Sequence, residues 1–152
     1  MVEGKLRLMT MEGTGRQFLA ETSSGHSLIV DDSEGHTGPK PTELVLMGLG
    51  ACTAFDVIGI LRKKRQMVMG YDVEVRAEQR EEPPNYFTRV EVKHHLRGTI
   101  DPEAVRRAIE LSETKYCSVG AMISKTAKFE SAFDIVPEEV NRDLEVASGV
   151  RR

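Results

Sequence analysis

Apolar and polar residues alternate in short runs along the first part of the chain. Between residues 5 and 31, apolar positions are separated by polar ones, and small polar residues cluster at 13–15 and 23–25. Alternation with a period of two is typical of half-buried strands, and glycine next to serine or threonine marks turns. We therefore predict a meander of antiparallel strands, followed by a surface loop at 31–40.

The same alternation returns over two longer stretches in the middle of the chain. Residues 71–79 and 87–98 place apolar side chains on every second position, and the segment 81–85 between them contains two glutamates and two prolines. Two long antiparallel strands joined by a loop fit this pattern better than two parallel strands with a crossover helix. A last strand is predicted at about 128–136.

A long apolar stretch runs from residue 42 to about residue 65, directly after Pro41. Proline suits the start of a helix, where its missing N–H costs nothing, so the stretch predicts a helix of about six turns. The stretch is long enough for a membrane span, but Cys52, Thr53 and Asp56 interrupt it, and we expect a helix buried by protein. One sheet face can hardly cover a helix that is apolar all round, so a second subunit is expected.

Two further helices are predicted from their start signals. Asp101 can cap a helix that begins at Pro102 and runs to about residue 115. After a break, a second and shorter helix is predicted at 119–125, with Ser118 as its cap.

The order of these elements predicts an α+β fold with a mostly antiparallel sheet, a long central apolar helix and a second helix. At 152 residues, the chain fits one ordinary domain and needs no disulfide to fold. We expect a single domain over 1–136 and a polar C-terminal tail over 137–152.

Composition narrows the classes of function. The formal net charge is −3, and the basic run at 62–65 closes an apolar segment, where cations complement the negative end of a helix dipole. No surface for nucleic acid is therefore indicated. The first residues lack the basic-then-apolar pattern of a signal peptide, so we expect a cytoplasmic protein that does not act at a membrane. The two cysteines should be reduced there, and two are too few for a zinc cluster.

Cys52 and Cys117 are the residues best suited to chemistry. Cys52 lies in the middle of the predicted long helix, and small residues at 48, 50 and 51 would let another backbone or a ligand come close. Cys117 precedes a predicted helix start, where free N–H groups and the dipole lower a thiol pKa. The plain alternative for each is a small buried hydrophobic residue, since free cysteine is among the most buried residue types.

Two other polar residues have a functional and a structural interpretation. Asp56 follows Cys52 by one helical turn and shares its face, and a carboxylate this close raises the pKa of a thiol. An equal alternative is that Asp56 caps or pairs with another group among the helices. His94 lies on an apolar strand face, where a hydrogen-bonded core histidine is a better interpretation than a metal ligand. The sequence contains no serine-nucleophile motif, phosphate-binding loop or dinucleotide fingerprint.

Two segments together resemble a known family. The run PTELVLMGLGAC at 41–52 and the later KYCSV at 115–119 resemble the OsmC/Ohr family of thiol-dependent hydroperoxide reductases. The resemblance covers both cysteines, both helices and the order of strands, roughly residues 5–136. It implies an intertwined homodimer with the long helices at its centre and two sites at the subunit interface.

The resemblance also implies a mechanism. The Cys52 thiolate would attack the O–O bond of an organic hydroperoxide and become a sulfenic acid, which Cys117 would resolve to a disulfide. A dithiol reductant, either a small molecule or protein-bound, would then restore both thiols. No metal, flavin or nicotinamide is required. For the substrate we expect an apolar pocket built from residues such as Leu49, Phe55, Met122 and Phe129.

Family members commonly use an arginine and a glutamate to hold the thiolate and its substrate. The candidate glutamate is Glu43, nine residues before Cys52 and so on the opposite face of a straight helix. An equal alternative is that Glu43 is simply an acidic residue of the first turn, favoured there by the helix dipole. The candidate arginine is Arg16, whose charge would favour the Cys52 thiolate, and a solvent-facing strand arginine is its equal alternative.

Two other functions stay open from the sequence. One is a non-enzymatic dimeric binder of a small apolar or thiol-bearing molecule, in which the cysteines are structural or sense oxidants. The other is an interaction module that docks through the tail at 137–152. Fold alone does not decide among them, since function belongs to the site.

Overall fold

The computed structural model describes residues 1–10, 16–32, 34 and 37–137. The chain divides into two compact units, Met1–Leu49 and the residues from Gly50 onwards. A long helix, α1 (Pro41–Lys63), belongs in part to each. The predicted turn at 13–15 and almost all of the predicted tail lie outside the described residues.

The first unit contains one sheet of three antiparallel strands. They are β1 (Gly4–Thr10), β2 (Gln17–Thr22) and β3 (Ser27–Val30), and they follow each other in the sheet as they do in the chain. The turn between β2 and β3 places Gly25 at a φ of 83°, a conformation that glycine adopts without steric cost. The predicted meander is confirmed.

The second unit contains a three-stranded sheet in the order β4 (Met67–Gln79), β5 (Phe87–Thr99) and β6 (Lys128–Val136). β4 and β5 are antiparallel, as their alternation predicts, whereas β6 joins β5 in the parallel sense. Three of the four strand pairings in the described part of the chain are antiparallel, so the predicted α+β class is confirmed. The strands are divided between two sheets rather than collected in one.

Helix α2 (Pro102–Leu111) provides much of the core of the second unit. Asp101 caps it by accepting a hydrogen bond from the N–H of Glu103, as predicted. Its apolar face packs into one cluster with α1 and the sheet, formed by Val57, Leu61, Leu96, Ile100, Ala104, Val105, Ala108 and Ile109. Burying an aliphatic side chain of this size fully stabilises the fold by roughly 1.5–3 kcal/mol.

The chain after α2 departs from the prediction of continuous helix. Instead of running to residue 115, α2 gives way to a π-helical turn, Ser112–Tyr116, followed by α3 (Ser118–Ile123). The N–H of Cys117 donates to the carbonyl of Ser112 at 2.8 Å, the five-residue spacing of a π-helix. Such turns are rare and concentrate at functional sites, and side-chain periodicity does not distinguish them from the last turn of an α-helix.

Helix α1 ends at the basic run. Arg65 has a φ of 56°, and the N–H of Gln66 donates to the carbonyl of Leu61. Arg62 and Lys63 lie in the last turn, where cations complement the carbonyl end of the helix dipole. The basic residues are therefore accounted for by the helix end.

Much of α1 keeps an apolar surface exposed. By length and composition it could cross a membrane, and only 28% of its most apolar window is buried within the chain. Phe55 is 78% exposed and Met47 is 55% exposed. An apolar helix surface of this extent is typical of an interface with a partner or an apolar phase.

Candidate active site

Three polar residues lie together on the buried side of α1. Asp56 follows Cys52 by four residues, and Thr53 between them is buried. Positions four apart share a helix face, and Val57 and Leu61 fix that face because both are fully buried in the core. The apolar packing of α1 therefore turns these polar side chains inward.

Ser112 meets this face from the π-helical turn. Its side chain is fully buried, and its hydroxyl oxygen lies 2.9 Å from Oδ2 of Asp56 and 3.1 Å from Oγ1 of Thr53. Because Ser112 continues the buried side of α2 after Ala108 and Ile109, the pattern that builds the core also brings a hydroxyl to the carboxylate. A polar residue on a buried helix face must find a partner, and this signal was available in the sequence.

Cys117 closes the cluster from the start of α3. It is 5% exposed, and its Sγ accepts a hydrogen bond from the N–H of Gly120 at 3.2 Å. The prediction that Ser118 caps this helix is wrong, since Ser118 is already its first residue and Cys117 takes the capping position. The π-helical turn is the reason, because it ends at Tyr116 and leaves Cys117 extended.

The structure brings both cysteines and one carboxylate to a single place. The Sγ atoms of Cys52 and Cys117 and a carboxylate oxygen of Asp56 all lie within 4.8 Å of one another. Both cysteines are free thiols, Cys52 half-buried and Cys117 buried. Side-chain movement could bring two sulfur atoms at this separation to the length of a disulfide bond, and Cys52 is the more exposed of the two.

The electrostatics of Cys117 differ from the sequence expectation. Burial is the main cause that raises the pKa of Cys117 to about 11, and interaction with the Cys52 thiol adds to it. The Gly120 N–H does lower the pKa, as expected at a helix start, but it is outweighed. The negative charge of Asp56 also raises the pKa of Cys117, the direction expected for a carboxylate beside a thiol.

The small residues near Cys52 have a structural consequence at Gly50. A Cβ placed there would come within 3.1 Å of a methyl group of Val75 on β4, so α1 crosses the sheet at close range. Gly48 has open space around the same position. The close approach that these small residues predict is thus found at Gly50, and the group that comes close is the side chain of Val75 in the same unit.

A surface groove of about 430 Å³ opens beside the cluster. Asp56 lines both the groove and the thiol site. The other lining residues are the apolar Phe55, Ile60, Leu111, the ring of Tyr116, Gly59 and the cations Lys63 and Lys64. Of the four residues expected to form an apolar pocket, Phe55 alone lines this groove; Leu49 is buried, Phe129 on β6 is half-buried and Met122 is 71% exposed.

Glu43 has its described contacts at the start of α1. Its carboxylate accepts a hydrogen bond from the backbone N–H of Lys40 at 2.8 Å and lies 3.3 Å from the Lys40 ammonium. The backbone hydrogen bond is the main cause that lowers the pKa of Glu43. This is the geometry of half a capping box, which supports the structural interpretation of Glu43; its role at the thiol site stays a prediction.

Arg16 has its described contacts in the loop after β3. Its Nε and its backbone N–H both donate to Oδ2 of Asp32, at 3.0 and 3.1 Å. The Arg16 side chain is 69% exposed. A role for its charge at the Cys52 thiol stays a prediction.

His94 is a core residue of the second sheet, as predicted. It is fully buried, and its Nδ1 lies 2.7 Å from the hydroxyl of Tyr71, whose ring stacks on it with centroids 6.0 Å apart. Burial, with a smaller contribution from His95, lowers the pKa of His94 to about 4. A neutral, hydrogen-bonded histidine at this position serves packing.

Comparison with known proteins gives a consistent result. The sequence pattern of the OsmC-like protein family matches residues 32–132. Protein YhfA of Escherichia coli (strain K12) is 40% identical over 123 residues, which cover 80% of this chain and 92% of that protein.

Solved structures show the same fold. A hypothetical protein from Aquifex aeolicus VF5 superposes with a TM-score of 0.81 at 31% identity, over 91% of this chain and 98% of that one. The organic hydroperoxide resistance protein OhrB of Bacillus subtilis superposes with a TM-score of 0.64 at 12% identity, over 88% of this chain and 98% of that one. At that identity, the second likeness concerns the fold alone.

Proposed function

The chain belongs to the OsmC-like protein family, and from that premise we propose that it is a thiol-dependent peroxidase for organic hydroperoxides. The observation that carries the proposal is the approach of the Cys52 and Cys117 sulfur atoms to within 4.8 Å of each other. The two cysteines are 65 positions apart in the chain, so only the fold brings them together.

In the first step, Cys52 is the attacking residue. It is half-buried whereas Cys117 is buried, so a hydroperoxide reaches Cys52 first. The thiolate sulfur attacks the nearer oxygen of the O–O bond, and the bond breaks with its electron pair on the distal oxygen. The alkoxide takes up a proton and leaves as an alcohol, and Cys52 is left as a sulfenic acid.

In the second step, Cys117 resolves the sulfenic acid. Its raised pKa keeps it a thiol during the first step, so it does not compete for the peroxide. Its sulfur then attacks the Cys52 sulfur and displaces hydroxide, which combines with the Cys117 proton to form water. A dithiol, either a small molecule or protein-bound, reduces the resulting disulfide by exchange.

The groove beside the cluster supports an organic substrate. Phe55, Ile60 and Leu111 give it apolar walls, and Asp56 connects it to the thiols. Apolar walls favour an alkyl hydroperoxide over hydrogen peroxide, because burial of each methylene group contributes about 0.8 kcal/mol.

We further propose that the protein works as a homodimer. Large apolar side chains of α1 are exposed in the single chain, with Phe55 and Met47 the most exposed among them. A second copy would cover them, and its Glu43 and Arg16 are the candidates for holding the thiolate across the interface. Light scattering should give a mass of twice the 16.9 kDa of one chain.

The family match also bears on domain organisation and location. It spans residues 32–132 and so crosses from one compact unit into the other, which supports a single functional domain over 1–136 with the segment 137–152 as an addition. In this proposal the exposed apolar surface of α1 packs against a second copy of the chain and does not span a membrane. A cytoplasmic location, with no membrane or nucleic acid as partner, completes the proposal.

The decisive experiment counts thiols. Cumene hydroperoxide is added in sub-stoichiometric steps to the reduced protein, with Cys52→Ser and Cys117→Ser treated in parallel. The proposal expects two thiols lost per peroxide in the unmodified protein, none in Cys52→Ser, and a sulfenic acid that a dimedone probe traps in Cys117→Ser. Slow thiol loss at the rate of a free cysteine solution would contradict it.

A redox-sensing or small-molecule-binding dimer is the second candidate. It is favoured by the Asp56 carboxylate, whose charge opposes ionisation of the neighbouring Cys117 thiol. In that case the disulfide would form over minutes rather than seconds, and ligand binding would change with the oxidation state. The rate of the thiol-counting experiment distinguishes the two candidates.

A further inference from the structure

The thiol cluster contains three donor atoms that do not act together in the proposed reduction of peroxide. Two sulfur atoms and a carboxylate oxygen lie within 4.8 Å of one another, from Cys52, Cys117 and Asp56. It is the one group of three histidine, cysteine or acidic donors at such mutual distances in the described part of the chain. Two cysteines alone are too few for a zinc site, and the fold adds the Asp56 carboxylate as a third donor.

These separations suit one small cation. In a tetrahedral zinc site, sulfur ligands lie about 2.3 Å from the metal and carboxylate oxygens about 2.0–2.2 Å, so neighbouring donors are under about 4 Å apart. Movements of a few tenths of an ångström at each side chain bring donors within 4.8 Å to that spacing. Three protein ligands and one open position are the usual arrangement of a zinc site that remains accessible.

The surrounding hydrogen bonds hold the donors for such an ion. The Ser112 hydroxyl donates to Oδ2 of Asp56 and so fixes the orientation of the carboxylate. The Gly120 N–H donates to the Cys117 sulfur and stabilises its anion. Outer hydrogen bonds of this kind orient metal ligands and commonly change affinity by about 10–100-fold.

We propose that Cys52, Cys117 and Asp56 bind one thiophilic divalent cation, with Zn²⁺ as the representative ion. Thiolate ligands select zinc over the hard cations magnesium and calcium. Half-buried Cys52 gives the ion its entry path. Binding displaces the two thiol protons, and because each sulfur then donates a lone pair to the cation, we expect the metal-bound form to react more slowly with an oxidant than the free thiols.

The test uses Co²⁺ as a spectroscopic probe of the reduced protein without peroxide. The expected result is a thiolate-to-cobalt charge-transfer band that saturates at one cobalt per chain, with two protons released, and that disappears when Zn²⁺ is added. The chain has two cysteines, so a thiolate band reports this site alone. Prior alkylation with iodoacetamide should abolish the band.

Variants test the third ligand and its support. Asp56→Asn keeps the shape and both thiols but should weaken cobalt binding at least tenfold, and Ser112→Ala should weaken it about 10–100-fold. His95→Gln is the matched control, because His95 lies near Asp134 and Glu74 on the exposed side of the sheet and should leave the band unchanged. Circular dichroism verifies that each variant is folded.

Two outcomes would overturn the proposal. One is equal cobalt affinity of Asp56→Asn and the unmodified protein, which would reduce the site to a pair of thiols. The other is the absence of a thiolate band at saturating cobalt. Neither depends on the peroxidase reaction, so failure of the metal site and failure of the proposed peroxidase are distinguishable.

Discussion

The second unit contains two pairs of titratable groups, each with one buried and one half-buried member, and the pairs differ in how their polar atoms are engaged. Tyr71 and His94 lie in the sheet with His94 fully buried, and burial lowers the pKa of His94 to about 4 and raises the pKa of Tyr71. Cys52 and Cys117 lie between the helices, with Cys52 half-buried and a carboxylate beside both sulfurs. Burial also raises the pKa of Cys117.

A perturbed pKa is therefore shared by both pairs and does not identify the reactive one. The groups of the first pair are neutral at physiological pH and are joined by one hydrogen bond, while Nε2 of His94 is buried without a partner among the described residues. In the second pair both cysteines are free thiols and Cys52 is half-buried, which is what the proposed reaction with peroxide and the proposed binding of a cation require. A half-buried nucleophile with a second nucleophile behind it distinguishes the candidate site from the hydrogen-bonded pair.

The largest effect is expected from acid, which should lower the folding stability through His94. Below its usual pKa of about 6.5, the unfolded chain takes up a proton at His94 that the folded chain takes up only near pH 4. The contribution of His94 to folding free energy is thus complete above pH 6.5 and falls by up to roughly 3 kcal/mol between pH 6.5 and 4. Urea denaturation at a series of pH values measures it. A His94→Phe variant with the same loss over this range would contradict the assignment.

Removing the hydroxyl that supports the thiol site should have the next largest effect on stability. Ser112→Ala leaves the Asp56 carboxylate without a buried hydrogen bond, and bonds to charged groups contribute about 1.5–3 kcal/mol. The matched control is Ser124→Ala, which removes an exposed serine hydroxyl and should change stability by less than about 0.5 kcal/mol. Equal denaturation midpoints for the two variants would show that the Ser112 contact is not stabilising.

A smaller loss of stability, without loss of reactivity, is expected from the tyrosine of the first pair. Tyr71→Phe keeps the stacked ring but removes the hydrogen bond to His94, which should cost about 1 kcal/mol. Its rate of thiol oxidation by cumene hydroperoxide should match that of the unmodified protein. A parallel decrease of rate and stability would mean that the two pairs are coupled.

The smallest effect concerns the charge beside the thiols. Asp56→Asn removes one of the causes that raise the pKa of Cys117, so the pKa should fall by a fraction of a unit. Thiolate absorbance against pH measures this in a Cys52→Ser background, where Cys117 is the remaining cysteine. Asp72→Asn, at an exposed position of β4, is the control. An equal change of the Cys117 pKa in both variants would exclude a local effect of Asp56.

The sequence predicted the elements better than their ends. Helix α2 was predicted from Asp101 and Pro102 because a cap and a first-turn proline act locally, and both are where they were expected. Its end was predicted wrongly because the π-helical turn depends on burial of Ser112 against another helix. Capping of α3 by Cys117 rather than Ser118 follows from the same turn.

The site itself was predicted only in part. Both thiols were identified from their contexts, yet no local pattern states that residues 65 positions apart meet. Asp56 was placed on the Cys52 face by helical spacing alone, whereas Ser112 was missed although it continues the apolar positions of α2. The contacts of Glu43 and Arg16 with their own neighbours depend on loop geometry, which periodicity does not describe.

The π-helical turn makes the spacing between α2 and Cys117 sensitive to single-residue changes in length. An α-helix advances by about 100° and 1.5 Å per residue, and a π turn absorbs one residue beyond that repeat. One more residue inserted after Glu113 would exceed what this turn absorbs and would rotate the chain after it by about 100° relative to α2. Cys117 would then turn away from Cys52, so chain length in this segment, as much as residue identity, sets whether the two sulfurs face each other.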